Sequence, residues 1–185
     1  MLLLRTLAAF ICSMALISAP AYAKVEVQSH STLLAVKISE DIAPGDYERL
    51  LHGLRGHPGN FPRKIALLDS LGGSAPEAIR MGRLLREKGF DVLVPREGLC
   101  QGSCVYLLAA GVKRTINGHV ALRRPPFAAG DSAQAQAAHG REPVRAAQYF
   151  RDMGVSEQLA QALYSAPAGR LQLLDRAHMR RYGLQ

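Results

Sequence analysis

The chain has 185 residues, of which 48% are hydrophobic and 21% charged, so it is long enough for one globular domain with a sizeable core. This composition excludes a disordered chain, a fibrous repeat and a polytopic membrane protein. Lys and Arg outnumber Asp and Glu by 23 to 15, but the cations are scattered among acids, which favours a soluble surface over a nucleic-acid site.

The first 23 residues have the pattern of a secretory signal peptide. Arg5 lies near the start, and an apolar stretch follows over residues 7–17. Residues 21–23 read Ala-Tyr-Ala, which places small residues at the −3 and −1 positions of a cleavage site before Lys24. The sequence therefore predicts that residues 1–23 are removed and that the protein is periplasmic or secreted by a bacterium.

A retained membrane anchor is the alternative for this segment. A helix that spans a membrane needs about 20 apolar residues, whereas Ser18 and Pro20 interrupt the run early. We therefore expect no stable membrane span after cleavage. Residues 24–185 contain no internal repeat and no linker long enough to divide them, so they are predicted to form a single domain.

The apolar periodicity of residues 24–185 predicts alternating strands and helices. Short apolar or alternating runs predict one or two strands over residues 25–38, then strands over residues 64–69, 91–94 and a strand-like piece at 114–116. Helical spacing predicts helices over residues 47–54, 75–88, 104–110, 142–153, 156–165 and 175–182. Repeated strand, glycine turn and helix units indicate an α/β fold with a parallel sheet.

Breaks and caps separate these elements. Residues 71–74 are expected to end the second strand region, and residues 98–103 and 128–140 are expected to be loops. Asp46 and Asp175 are predicted N-caps of the first and last helices. Gly89 and Gly111 are predicted to end the second and third helices.

Three segments carry a resemblance to a known family. Residues 68–74 read LDSLGGS and precede the helical stretch EAIRMGRLLR at residues 77–86, and residues 100–111 read CQGSCVYLLAAG. In this order and spacing they resemble the exported bacterial branch of the Clp protease/crotonase superfamily, as do the two C-terminal helices. The resemblance implies a repeated βαβ spiral with a parallel sheet and C-terminal helices, and assembly into homo-oligomers.

The resemblance also implies a particular chemistry. In proteolytic members a serine at a helix start attacks a peptide carbonyl, with a histidine as base and an aspartate that orients it. Two backbone N–H groups hold the oxyanion, and crotonase-like members use the same groups to polarise a thioester carbonyl. Gly72 and Gly73 would provide the first N–H, because glycine lets a ligand approach the backbone. A tight turn that needs positive φ explains this glycine pair equally well.

The nucleophile position departs from the family pattern. Aligning Cys100 and Cys104 on the family's two cysteines places Gly102 at that position and Ser103 one residue later. One residue near a helix start rotates a side chain by about 100°. We therefore favour Ser103 as the N-cap of the following helix over Ser103 as the nucleophile.

The base and the acid depart from the pattern as well. The family's histidine falls where this chain has Arg123 and Arg124, which cannot accept a proton at neutral pH but could contact an anion. His119 or His139 could replace it, although a surface role is favoured for both. The family's acid falls near Leu171, where no carboxylate stands.

Cys100 and Cys104 are predicted to form a structural disulfide. Two cysteines four residues apart across a loop-to-helix junction can reach the distance of about 4.4–6.8 Å between bridged Cα atoms. Two free buried thiols and a redox motif are the alternatives. A metal site would need further ligands at suitable spacing, and the sequence offers none.

Together the motifs and their departures predict an exported Clp/crotonase-like protein that is not catalytic and needs no cofactor. It would bind a peptide, an acyl-type ligand or a protein partner in the family cleft. One alternative is a periplasmic serine peptidase that uses Ser103 with a displaced histidine base. The other is a homo-oligomeric interaction module.

Overall fold

A computed structural model describes residues 24–124, 133–167 and 170–185, with only the backbone described at Lys24 and over residues 133–140. The predicted signal peptide, residues 1–23, lies outside these residues. Within them, the strands are β1 (Lys24–His30), β2 (Leu33–Ile42), β3 (Arg63–Gly73), β4 (Asp91–Val94), β5 (Leu99–Gln101), β6 (Arg114–Ile116), β7 (His119–Leu122) and β8 (Gln172–Leu173). The helices are α1 (Asp46–Arg55), α2 (Ala75–Glu87), α3 (Cys104–Ala110), α4 (Ala133–Asp152), α5 (Gln158–Ser165) and α6 (Arg176–Tyr182).

The strands form one mostly parallel sheet. Its main order is β1-β2-β3-β5-β7-β8, and β4 pairs with β3 and with β6. The β1–β2 hairpin and the β7–β8 pair are antiparallel, and the other pairs are parallel. The predicted α/β fold with a parallel sheet and C-terminal helices is therefore confirmed.

Three elements have the same bounds in the structure as in the prediction: the strands at residues 91–94 and 114–116 and the helix at residues 104–110. Residues 25–38, predicted as one or two strands, form two, joined by a turn in which Ser31 has a φ of 51°. The helix is buried over its whole length, whereas the strand at residues 114–116 is only partly buried.

Two expected breaks are strands instead. β3 continues to Gly73, because Gly72 and Gly73 pair with Asp41 and Ile42 of the long strand β2 after a register shift at Glu40. Residues 99–101, expected in a loop, form β5, which pairs on one side with β3 and on the other with β7. Such short strands depend on their neighbours, which periodicity in one segment cannot reveal.

The prediction of a loop over residues 128–140 is wrong for residues 133–140. Helix α4 begins at Ala133, nine residues before the predicted start, and residues 128–132 lie outside the described residues. Alanine and glutamine favour helix, and this preference outweighs the cost of about 1 kcal/mol for Gly140. Strands β7 and β8 were not predicted, and α5 begins two residues later than expected.

The caps follow the predictions in part. Asp175 accepts a hydrogen bond from the His178 N–H at 2.7 Å and caps α6 as predicted. Gly89 has the left-handed φ of 74° expected after α2. The predicted cap at Asp46 is wrong, because Gly45 precedes α1 with a φ of 93° and Asp46 is the first helical residue. The Asp46 carboxylate accepts instead from the Ala43 N–H and from Arg49.

The helices pack tightly where Gly82 of α2 faces Tyr149 of α4. A Cβ at Gly82 would lie 2.0 Å from the Tyr149 hydroxyl oxygen. This hydroxyl donates a hydrogen bond to the Tyr106 carbonyl at 2.9 Å, and the Tyr106 ring stacks on Phe150 with 5.0 Å between centroids. Burial raises the pKa of both tyrosines. The glycine of the helical motif thus lets the tyrosine reach α3 and lock the three helices together.

Candidate functional site

The carboxyl ends of β3, β5 and β7 meet at one edge of the sheet. These strands run parallel, with Ser70 opposite Cys100 and Gln101 opposite Ala121. The residues predicted to form the site follow directly at these strand ends, and the structure brings them together there: Gly72, Gly73, Gly102, Ser103, Arg123 and Arg124. Binding at the carboxyl ends of parallel strands is the general arrangement of α/β proteins.

Gly72 and Gly73 approach two neighbouring segments closely. Their φ angles are 96° and 116°, a region that favours glycine. A Cβ at Gly72 would lie 2.8 Å from the Gln101 carbonyl oxygen, and a Cβ at Gly73 would lie 2.3 Å from the Ile42 carbonyl oxygen. Close packing and positive φ therefore require glycine at both positions. This is the structural explanation of the glycine pair that the sequence left open.

The Gly72 N–H is already engaged inside the protein. It donates to the Ser70 hydroxyl at 3.2 Å, and this hydroxyl donates to the Glu40 carbonyl at 2.6 Å. Ser70 is fully buried. An oxyanion that used the Gly72 N–H would have to replace this internal bond. Sequence reasoning missed Ser70, although a polar residue that ends an otherwise apolar strand is a recognisable signal.

Ser103 is buried and faces the glycine turn. The residue is 1% exposed, and its hydroxyl donates a hydrogen bond to the Gly73 carbonyl at 2.8 Å. Ser103 is the N-cap residue of α3, as predicted, but its side chain makes no capping hydrogen bond. The hydroxyl instead joins the start of α3 to the end of β3.

Gly102 adopts the left-handed conformation that places Ser103 in this position. Its φ is 55°, and its N–H donates to the Ala121 carbonyl at 3.0 Å. A Cβ there would lie 3.4 Å from the Arg123 carbonyl oxygen. The residue that takes the family's nucleophile position is thus a backbone turn packed against the end of β7.

Cys100 and Cys104 form a disulfide around this turn, as predicted. The sulfur atoms are 2.02 Å apart and the Cα atoms 5.3 Å apart, and both residues are fully buried. The bridge joins β5 to the first residue of α3 and encloses Gln101, Gly102 and Ser103. A disulfide in a structural position is typical of proteins in an oxidising compartment.

Of the two histidines considered as replacement bases, only His119 has a described side chain, and it is not near Ser103. His119 is exposed at the start of β7, opposite Leu99. Gly102 lies three residues beyond Leu99, so His119 and Gly102 are separated by about 10 Å along the strand direction. The backbone of His139 belongs to α4, and its side chain lies outside the described residues. Leu171, at the family's acid position, is exposed.

Arg123 and Arg124 follow β7 at the same sheet edge. The Arg123 side chain is exposed, and the Arg124 side chain is half-buried. The Arg124 Nε atom is buried and has no hydrogen-bond partner among the described residues. These cations stand where the resemblance places the family's base, and the exposed Glu40 and Asp41 end β2 at the same sheet edge.

Two further properties of the described residues concern metal binding and membrane spans. No three of their His, Cys, Asp or Glu side chains come together in a way that could bind a metal ion. Among the helices that they form, none has both the length and the apolar character needed to cross a membrane.

Comparison with known proteins shows similarity at the level of the fold. No protein-family model matches the sequence, and no curated protein matches it either. Among solved structures, a mutant of 1510-N, a membrane-bound stomatin-specific protease, is similar with a TM-score of 0.58 and 12% sequence identity. The match covers 82% of this chain and 75% of that one. The chain thus has the mixed α/β fold of a protease, with a mostly parallel sheet and C-terminal helices.

Proposed function

We propose that this chain is an exported, Clp/crotonase-like protein that binds a peptide at the carboxyl edge of its sheet without cleaving it. The single observation that carries this proposal is the hydrogen bond from the Ser103 hydroxyl to the Gly73 carbonyl. A serine acts as a nucleophile only when a neighbouring base accepts its proton. A backbone carbonyl accepts a hydrogen bond but cannot take the proton, so this serine is held in an inactive arrangement.

The charge at the site supports the same conclusion. Catalysis at neutral pH would require a group that titrates near neutrality, and histidine is the usual one. Arg123 and Arg124 stand at the corresponding position, and arginine is not a general base at neutral pH. Gly72 also uses its N–H inside the protein, so one of the family's two oxyanion donors is occupied. Nucleophile, base and oxyanion donor thus all depart from what peptide hydrolysis needs.

The first prediction is that a fluorophosphonate probe leaves the purified protein unlabelled. Hydrolysis of unstructured peptides by the wild type and by Ser103→Ala should equal the enzyme-free blank from pH 5 to pH 9, because no base activates the hydroxyl. Intact-mass analysis measures labelling, and an active serine peptidase serves as the positive control. A covalent adduct on Ser103, together with turnover that is lost in Ser103→Ala, would establish the peptidase alternative instead.

The second prediction concerns export. Protein recovered from the periplasm of an expressing bacterium should begin at Lys24, because residues 21–23 have the small residues that signal peptidase requires. Intact-mass analysis measures the amino terminus. Ala23→Arg, which places a large charged residue at position −1, is the matched variant and should accumulate uncleaved. Recovery of wild-type protein that retains Met1 in the membrane fraction would contradict the prediction.

The acyl-type ligand and the homo-oligomeric assembly suggested by the family resemblance stay predictions. The peptide is preferred because the proteolytic members of the superfamily that the sequence resembles take a peptide at this site. Self-assembly is compatible with this role and does not replace it.

A further inference from the structure

The amino half of the sheet consists of five neighbouring strands, in the order β1-β2-β3-β4-β6. Successive side chains of a strand point to opposite faces, and paired residues of neighbouring parallel strands point to the same face. Val36, Ala66 and Val92 therefore share one face, and all three are buried. The end of α3 packs on this face, since a Cβ at Gly111 would lie 2.6 Å from the Val92 Cγ2 atom. This face belongs to the core.

The opposite face, which we call the outer face, is apolar at its centre. The residues that alternate with those of the core face point outward there, and each is only half-buried: Ala35, Ile65, Leu67 and Leu93. A cavity of about 560 Å³ opens with Ile65 and Leu93 in its lining. Parallel strands are found almost always with both faces covered. The outer face therefore lacks a complete cover among the described residues.

The outward residues of β3 form a row that is complementary to itself. In order they are Arg63, Ile65, Leu67 and Asp69, with a cation at one end, an acid at the other and aliphatic side chains between them. When a second copy packs on the outer face with its β3 antiparallel, Arg63 of each copy faces Asp69 of the other. Ile65 of each copy then faces Leu67 of the other. Such reciprocal contacts define an isologous interface with two-fold symmetry.

The charges at the two ends of this row have no ionic partner within the described part of the chain. Arg63 and Asp69 are both exposed, and neither forms a salt bridge there. One Asp69 oxygen accepts the Leu99 N–H at 3.0 Å. The two residues are about 20 Å apart along β3, so they cannot pair within one chain. A second copy brings the opposite charge to each of them.

The neighbouring strands oppose no like charges in this arrangement. By the same symmetry Lys37 of β2 faces Ala35 of the second copy, and Asp91 of β4 faces Leu93 of the second copy. The chain as a whole has a formal charge of +8, so surfaces that carry the excess of cations repel a second copy. The row on β3, with one cation and one acid, does not.

We propose that two copies of this chain pack through their outer faces as a two-fold symmetric dimer, with β3 of one copy antiparallel to β3 of the other. The aliphatic side chains at the centre supply the buried apolar area, and the two Arg63–Asp69 pairs set the register between the copies. The inference goes beyond the proposed function and does not depend on it, because the row on β3 contains none of the candidate site residues.

The experiment exchanges the charges at the ends of the row. Sedimentation velocity of the purified protein, from about 1 to 100 µM, measures the monomer–dimer equilibrium. We expect the wild type to form a dimer, and Arg63→Asp and Asp69→Arg each to weaken it about tenfold or more, because like charges then face each other at both ends. The double variant Arg63→Asp/Asp69→Arg should recover the wild-type affinity, since opposite charges again face each other.

Arg55→Asp is the matched control for the charge change. Arg55 is an exposed residue of α1, and this helix lies on the core side of the sheet. A Cβ at Gly53 of α1 would lie 2.5 Å from the Val27 side chain, and Val27 pairs with the buried Val36. Arg55→Asp should therefore leave the dimer affinity unchanged.

Three outcomes would overturn the proposal. A wild type that stays monomeric at the highest concentration would leave the outer face to a different protein. A dimer that neither single reversal weakens, or one that the double variant does not restore, would place the interface elsewhere. Thermal unfolding confirms that each variant is folded. Arg63→Asp keeps the test decisive if Asp69→Arg does not fold, because the Arg63 side chain makes no hydrogen bond with the described residues.

Discussion

Replacing Gly73 with alanine is expected to destabilise the protein by about 3 kcal/mol or more, one of the two largest single-residue effects predicted here. The new Cβ would lie 2.3 Å from the Ile42 carbonyl oxygen and 2.9 Å from the Ile42 nitrogen, atoms of the neighbouring strand that cannot move independently. The φ of 116° is also unfavourable for alanine. Chemical denaturation of the wild type and the variant measures the difference.

Gly89→Ala provides the matched control for this prediction. Gly89 also has a positive φ, 74°, but nothing lies within 4 Å of the position that its Cβ would take. Its substitution should therefore cost only the backbone strain of about 1–2 kcal/mol. If Gly73→Ala were no more destabilising than Gly89→Ala, the close contact between β3 and β2 would not exist as described.

Arg114→Met should lower the free energy of unfolding by about 3 kcal/mol, because one guanidinium satisfies three carbonyl groups at the ends of three helices. It donates to the Ala109 carbonyl at 2.8 Å, to the Met153 carbonyl at 2.7 Å and to the Gly183 carbonyl at 3.4 Å. These carbonyls end α3, follow α4 and follow α6, where helix dipoles favour a cation. Burial, followed by the nearby Arg86, lowers the Arg114 pKa.

The adjacent Lys113 supplies the control for Arg114. Its side chain is exposed, and within the described part of the chain only its backbone makes hydrogen bonds: the N–H donates to Asp91, and the carbonyl accepts from the Val92 N–H. Lys113→Met removes the same charge and should change stability by less than about 0.5 kcal/mol. Arg114→Lys should fall between the two, since one ammonium cannot reach all three carbonyls. Equal stability of Arg114→Met and Lys113→Met would contradict a joining role for Arg114.

The sequence alone determined the fold class, and it also predicted the disulfide. Buried parallel strands require continuous apolar runs and helices require a 3.6-residue period, and both are local properties that can be read directly. The glycine pair follows the predicted strand β3, whereas Gly102 and the two arginines follow β5 and β7, which the sequence did not predict, so their place at the same sheet edge is known only from the structure. The spacing of Cys100 and Cys104 likewise predicted the disulfide that the structure contains.

Only the tertiary structure decided which contacts the candidate site residues make. The Ser103 hydroxyl donates to the Gly73 carbonyl, which is 30 residues away in sequence. Short strands such as β5 exist because both neighbours offer hydrogen bonds, and the role of Arg114 depends on three helix ends that converge on it. Such contacts join residues distant in the chain, so they arise from packing and leave no periodic signal in the sequence.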